Sequence, residues 1–248
     1  MKILLQKDYE GTDIPIIKEV LDRTKYTHSY EMIFLHELQS RDDDSEKIPI
    51  GSIEFVQNWL SKYEPGVRMK PIEVPQCLRR EPFVKRRYEF VPYEEIRKHL
   101  PCFVKDVSVL KSFSQVVYRE EELDGLNPNH QYLVSQTADI KSEYRIYFID
   151  GKIQNICNYD GDPTLFPDTD IIQRANLLYS MDEDYPKSYT MDIMISQYGT
   201  EIIEIHPFCA VGLYSALWGN NLIYAYRDGI DYYKKTNKVV KGVISCQP

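Results

Sequence analysis

The sequence predicts an α+β protein, and three observations carry that reading. Short apolar runs bounded by turn residues recur between residues 102 and 207, the pattern of partly buried strands. Asp150 and Gly151 stand between two of these runs, residues 144–149 and 152–157. An Asp-Gly pair there makes a hairpin, because both residues tolerate the positive φ that a tight turn needs. Other stretches, at residues 14–24, 53–60, 171–179 and 214–233, carry helical spacing instead.

Residues 1–6 read as a first buried strand. In the helix at 14–24, Ile17, Val20 and Leu21 share a face. Residues 31–38 are mixed, with Ile33, Phe34 and Leu35 adjacent. The run SRDDDSEK at 40–47 reads as a solvated, mobile loop. Gly51 and Ser52 open a helix that turns Ile53, Val56, Trp59 and Leu60 inward, with Glu54 in a capping role. Residues 65–92 are rich in proline and charge and read as a connecting segment. They hold the only dense basic cluster: Arg79, Arg80, Lys85, Arg86 and Arg87. It is either a solvated linker or a lip that faces an anion.

A short helix at 93–99 stops before Pro101. Strands follow at 102–104, 116–118, 130–136, 144–149 and 152–157, then an acidic, proline-bearing loop and the helix at 171–179. A hairpin spans 189–205 and turns at Gln197, Tyr198 and Gly199. The closing helical region carries Leu217, Leu222, Tyr226 and Ile230, with Gly219 as an interruption, and 234–248 read as a loose tail or edge strand. The chain has 248 residues, which suits two small domains or one composite domain.

Composition excludes several classes of function. Thirty basic against thirty-eight acidic residues leave a net charge of -8, unsuited to broad nucleic-acid binding. The cysteines, Cys77, Cys102, Cys157, Cys209 and Cys246, are scattered, odd in number and without a CxxC pair. Neither a zinc site nor a disulfide framework is expected. No apolar run is long enough to span a membrane, and the first residues do not form a signal peptide. A soluble cytoplasmic protein is the expectation.

The chemistry gathers in the hairpin. Asp192 and Glu204 are carboxylates on neighbouring strands, and His206 lies two residues beyond Glu204. Alternation allows all three to share one face. Such a set suits a divalent cation carrying phosphate, although acidic residues on the wet face of a hairpin are common. Lys105 ends the apolar strand PCFVK and Lys111 follows in VLKSF; each is a phosphate ligand or a surface lysine. Glu143 and Arg145 flank Tyr144 at the head of an apolar hairpin. The Arg145 fork suits a phosphate or carboxylate, or an internal salt bridge. Neither GxxxxGK[ST] nor GxGxxG occurs. Cys209 reads as a small buried hydrophobe rather than a nucleophile.

Four pieces, in this order, resemble the ATP-grasp superfamily: PCFVK, SEYRIYFIDGKI, TMDIMI and IIEIHPF. The last is similar to the superfamily's metal-binding E-x-N-P signature. GSIEFV near Gly51 and the second lysine in VLKSF point to its R2K clade, which is frequent in phages. The resemblance covers about residues 101–219. It implies two α+β subdomains that grip ATP, within 91–248, preceded by a small α/β domain of the pre-ATP-grasp kind at 1–90.

The resemblance also implies roles. Lys105 and Lys111 would touch the nucleotide phosphates, and Ser135, Gln136 and Ala138 would form the adenine-binding hinge. Glu143 would sit near the ribose or at the cleft edge, and Arg145 would hold the transferred phosphate. Asp192, Glu204 and His206 would ligate magnesium, with His206 standing where the family has Asn. The implied activity is an ATP-dependent carboxylate–amine ligase that works through an acylphosphate and releases ADP and phosphate. Its partners would be ATP and small-molecule, peptide or protein carboxylates and amines. The alternative is a nucleotide-binding regulatory module without turnover.

Overall fold

The structure is a computed structural model that describes residues 1–11, 13–215 and 218–236. The chain divides into two compact units, Met1–Met69 with the described part of Phe208–Pro248, and Lys70–Pro207.

The first unit opens on β1 (Lys2–Gln6), α1 (Asp13–Arg23), β2 (Ser29–Ile33), β3 (Ile48–Ile50) and α2 (Ile53–Tyr63). The strands form a parallel sheet in the order β2-β1-β3. Leu4 and Leu5 of β1 and Ile17, Val20 and Leu21 of α1 are buried. Fully burying a side chain of that size contributes about 1.5–3 kcal/mol.

Helix α2 differs from its sequence reading in two places. Phe55 is fully buried and Ile53 only partly so. Ser52, not Glu54, supplies the cap: its hydroxyl accepts the Phe55 N–H at 3.2 Å, and Glu54 is exposed. The charged run 40–47 is also not simply solvated. Asp44 is buried, with Lys47 Nζ at 2.6 Å and Arg41 Nε at 2.5 Å. Its carbonyl accepts Trp59 Nε1–H at 3.0 Å. A buried carboxylate is tolerated only when it is paired in this way.

The second unit holds β4 (Tyr88–Pro92), β5 (Cys102–Asp106), β6 (Ser114–Val117), β7 (Gln131–Ser135), β8 (Ser142–Ile149), β9 (Lys152–Gly161), α3 (Thr169–Tyr179), β10 (Tyr189–Ser196) and β11 (Gly199–Pro207). Residues 93–99 form a 3-10 helix. Two four-stranded sheets result, in the orders β4-β7-β5-β6 and β11-β10-β8-β9, with every pair antiparallel. Asp150 (φ 51) and Gly151 (φ 70) make the β8–β9 turn as expected. Helix α3 lays Ile171, Ile172 and Ala175 in a core with Ile146, Phe148, Met191 and Ile193. The other sheet keeps its own core, around Ile96, Val104 and Val134.

The segment 65–92 is not a linker. Val74, Leu78, Phe83 and Val84 are buried in the α3 core, and the expected boundary after residue 90 falls inside β4. Two backbone bonds tie this segment to β11, from Ile202 N–H to the Phe83 carbonyl at 2.9 Å and from Ile205 N–H to the Glu73 carbonyl at 3.2 Å. The basic cluster is largely spent internally. Arg79 reaches Glu73 at 2.8 Å, Lys85 Nζ donates to the Tyr198 carbonyl at 2.7 Å, and Arg86 is buried against Glu201.

The first unit closes with α4 (Leu222–Thr236), which packs on α1 and β3. It begins after Gly219, and it includes Lys234–Thr236, so the expected tail starts later than the sequence implied. Leu217, Cys246 and the rest of that tail lie outside the described residues. Cys77, Cys102 and Cys209 are free thiols. Among the described residues no helix is long and apolar enough to cross a membrane.

Candidate functional site

The site is a row of side chains across one sheet. Arg145 on β8 pairs in register with Asp192 on β10, and Asp192 pairs with Glu204 on β11. Direct partners share a face, so one carboxylate follows another beside the arginine. A β-bulge creates this row. From the turn, Ser196 faces Gly199 and Ile193 faces Ile202; the register then shifts and Asp192 faces Glu204, leaving Ile203 as the extra residue. Continued without the shift, the pairing would place Ile203 opposite Asp192 and Glu204 on the other face.

Arg145 grips Asp192 bidentately, Nε–Oδ1 at 2.8 Å and Nη2–Oδ2 at 2.7 Å. Burial pushes the Asp192 carboxyl above its ordinary value, and the arginine opposes that rise. Lys105, at the end of β5 in the other sheet, donates from Nζ to Glu204 Oε2 at 2.8 Å and also to the Ile72 carbonyl. The order across the site is therefore cation, two carboxylates, cation.

A cavity of about 350 Å³ lies between the two sheets, within the usual size of small-ligand sites. Lys105, Asp192 and Glu204 border it at one side, and Ser135, Gln136, Thr137 and Ala138 at another. Phe103, Val116, Leu133 and Met194 add apolar surface. Gln136 is fixed by its N–H to the Arg87 carbonyl at 3.0 Å and by its side-chain amide to the Tyr198 hydroxyl at 2.7 Å. Glu143 lines the cavity and accepts the Tyr159 hydroxyl.

Three expected residues, Lys111, His206 and Arg145, do not line the cavity; the Arg145 fork is taken up by Asp192. Lys111 is exposed on the β5–β6 turn and does not line the cavity. His206 is buried and faces Thr190 across the hairpin. Its Nδ1 has no hydrogen-bond partner, and burial pushes the imidazole down to about 4, so it is neutral at pH 7. Among the described residues no three His, Cys, Asp or Glu side chains converge to hold a metal ion. The expected triad of Asp192, Glu204 and His206 is therefore not assembled. The two carboxylates alone still fit magnesium, which takes one or two carboxylates and completes its shell with water and substrate phosphates. An imidazole is the softer and less suitable donor.

The sequence reading missed Tyr159 and the buried Arg86–Glu201 pair. Glu201 is fully buried and accepts the backbone N–H groups of Lys85 at 2.6 Å and Arg86 at 2.9 Å. Arg86 Nη1 lies 3.4 Å from Glu201, its Nε donates to Ser135 Oγ at 3.0 Å, and its Nη2 to the Ile202 carbonyl at 3.1 Å. The pair pins β7 to β11 along one wall of the cavity. The only local signal was a second glutamate, Glu201, in the strand that carries Glu204.

Two antiparallel sheets closing on a cavity, with lysine from one and an arginine–carboxylate row from the other, define an ATP-grasp protein. The fold comparisons agree. The macrocyclase MdnC from Microcystis aeruginosa MRC, solved with precursor peptide MdnA, superposes with a TM-score of 0.54 at 12% identity, over 91% of this chain and 98% of that one. D-alanine–D-alanine ligase from Bacillus anthracis, solved with ATP, gives 0.51 at 15% identity, over 96% of each chain. N5-carboxyaminoimidazole synthetase from Staphylococcus aureus gives 0.57 at 10% identity, over 92% of this chain and 77% of that one. No match was found among curated proteins. Residues 83–220 match the ATP-grasp domain, R2K clade family 2, and the chain belongs to that family.

Proposed function

We propose that the protein is an ATP-dependent carboxylate–amine ligase acting through an acylphosphate. The observation that carries this reading is the row Arg145–Asp192–Glu204 with Lys105 closing it. Two cations and two carboxylates sum to zero charge. A nucleotide phosphate tail with a divalent cation offers the complementary set: phosphates for Arg145 and Lys105, and the cation for Asp192 and Glu204. Magnesium would neutralise the charge that develops on the transferred phosphoryl group.

The chain's own residues orient the partners. The Arg145 fork would hold the γ-phosphate in line with a substrate carboxylate, and Lys105 would screen the neighbouring phosphates. Ser135, Gln136, Thr137 and Ala138 would take the adenine, with Glu143 at the ribose side. No covalent nucleophile is needed, because the protein positions and screens. Burial pushes the Cys209 thiol up, which suits a packing role. The attacking amine then displaces phosphate, so the products are ADP, phosphate and an amide. Proteins of this fold include a macrocyclase solved with a precursor peptide and a D-alanine–D-alanine ligase, which supports a carboxylate and an amine drawn from small molecules, peptides or proteins.

The test is trapping with hydroxylamine, which converts an acylphosphate to a hydroxamate. ADP and hydroxamate formed together from ATP, magnesium and a pool of amino acids and peptides are expected. AMP and pyrophosphate would mean adenylation and end this mechanism. One observation favours a second reading, a nucleotide-binding module without turnover: His206, at the family's Asn position, is buried and away from the cavity. Magnesium-dependent stabilisation by ATP without any turnover would select that reading.

A further inference from the structure

The cavity wall carries more carboxylates than cations, although the ligand proposed for it is a polyanion. Glu143, Asp192 and Glu204 line it, against Arg86 and Lys105. Both cations are engaged. Lys105 Nζ donates to Glu204 Oε2 at 2.8 Å and to the Ile72 carbonyl. Arg86 is paired with Glu201 and donates to Ser135 Oγ and the Ile202 carbonyl. Arg145 stands just behind the wall, with its fork on the lining carboxylate of Asp192 at 2.8 Å and 2.7 Å. Beside it, the ring of Tyr159 lines the cavity, with its centroid 5.7 Å from the guanidinium carbon. A bare polyphosphate entering here meets no unpaired cation on the described wall.

These are not loose surface pairs. Side-chain exposure is 15% for Arg145 and 6% for Asp192, and 16% for Lys105 and 25% for Glu204. Charges so far out of water are screened little by salt, and one that loses its partner must find another. The Arg145 fork needs two acceptor oxygens in one plane, which a phosphate supplies as well as a carboxylate does. The carboxylate that gives up the fork then needs a cation in its place. A phosphate tail that carries a divalent cation satisfies both sides of this exchange. A bare phosphate tail satisfies one side only, and it adds its own negative charge beside the stranded carboxylates.

We propose that Asp192 and Glu204 determine specificity beyond their proposed hold on magnesium: they keep Arg145 and Lys105 latched, so that the site admits a polyphosphate only together with its divalent cation and excludes the metal-free nucleotide. The proposal rests on the ATP-grasp ligase reading and deepens it. The two roles differ in what removal of the carboxylate does. Loss of a simple metal ligand leaves the binding of metal-free nucleotide unchanged. Loss of a latch strands a desolvated cation beside the cavity, and metal-free nucleotide then binds more tightly. By linkage, the latch also makes nucleotide and cation raise each other's affinity by the same factor.

The experiment is ATP titration calorimetry on the full chain, once with excess magnesium and once in chelator. The samples are wild type, Asp192→Asn, Glu204→Gln, and Asp192→Asn combined with Arg145→Gln. Wild type is expected to bind ATP more weakly in chelator than with magnesium, by about tenfold or more. In chelator, each single variant should lower the Kd for ATP about tenfold below wild type, the contribution of one charge-assisted bond regained, while its affinity for MgATP falls. Adding Arg145→Gln to Asp192→Asn should abolish that gain, because the released fork makes it and not the lost negative charge. Three results would overturn the proposal: a wild type indifferent to magnesium, single variants that bind ATP in chelator no better than wild type, or a gain that survives Arg145→Gln. Circular dichroism melts establish that each variant is folded. If Asp192→Asn does not fold, Glu204→Gln, whose carboxylate is the more exposed, carries the test, with Lys105→Gln as the added change. A folded wild type that binds no MgATP would refute the ATP-grasp ligase reading itself, and the magnesium arm of the wild type alone reveals it.

Discussion

Glu201→Ala tests the least legible part of the site. The carboxylate is fully buried and takes two backbone N–H groups in addition to the guanidinium of Arg86. Burial already pushes the Arg86 guanidinium below its ordinary value, and the carboxylate opposes that fall. Removing one partner of a buried pair costs about 3–5 kcal/mol, since the other charge stays desolvated. Two N–H groups left without an acceptor add to this, at about 1–3 kcal/mol each before water enters the new space. The expected loss is about 4 kcal/mol or more. For a chain of this size that lowers Tm on the order of 10 °C. Glu201→Gln keeps an acceptor oxygen and should lose about half as much. Urea titration followed by circular dichroism measures both. A loss under about 1 kcal/mol for Glu201→Ala, the range of an exposed ion pair, would refute the assignment of a desolvated anchor.

Two further outcomes are expected. In the first unit, burial pushes the Asp13 carboxyl up to about 6 from 3.8, opposed by backbone N–H groups and the Tyr226 hydroxyl. A raised carboxyl contributes stability that is present below 3.8 and lost as pH rises through about 6, in total about 3 kcal/mol. Asp13→Asn should therefore raise Tm at pH 7.5 and change it little at pH 4; an equal effect at both would contradict this. In the second unit, Asp192→Asn and Glu204→Gln should each cut turnover about 100-fold while the fold remains intact, whereas His206→Asn should be tolerated. An inactive His206→Asn beside an active Glu204→Gln would reverse the proposed metal assignment.

The sequence by itself determined what depends on neighbours along the chain. The β8–β9 turn follows from Asp150-Gly151, the buried face of α1 from helical spacing, and Lys105, Asp192 and Glu204 from their place in short strands. Tertiary structure decided the rest. Whether Asp192 and Glu204 share a face depends on one extra residue, Ile203, and period-2 counting from the turn puts them on opposite faces. The partners of the basic segment were hidden for a related reason: Arg86 and Glu201 lie 115 residues apart, and nothing local distinguishes a buried arginine from a solvated one. Nor did residues 40–47 reveal that one aspartate of three is buried, because that follows from where Trp59 and two cations come to rest. Local turns and periodicity act over a few residues; register and charge pairing are settled only when distant strands meet and water is excluded between them.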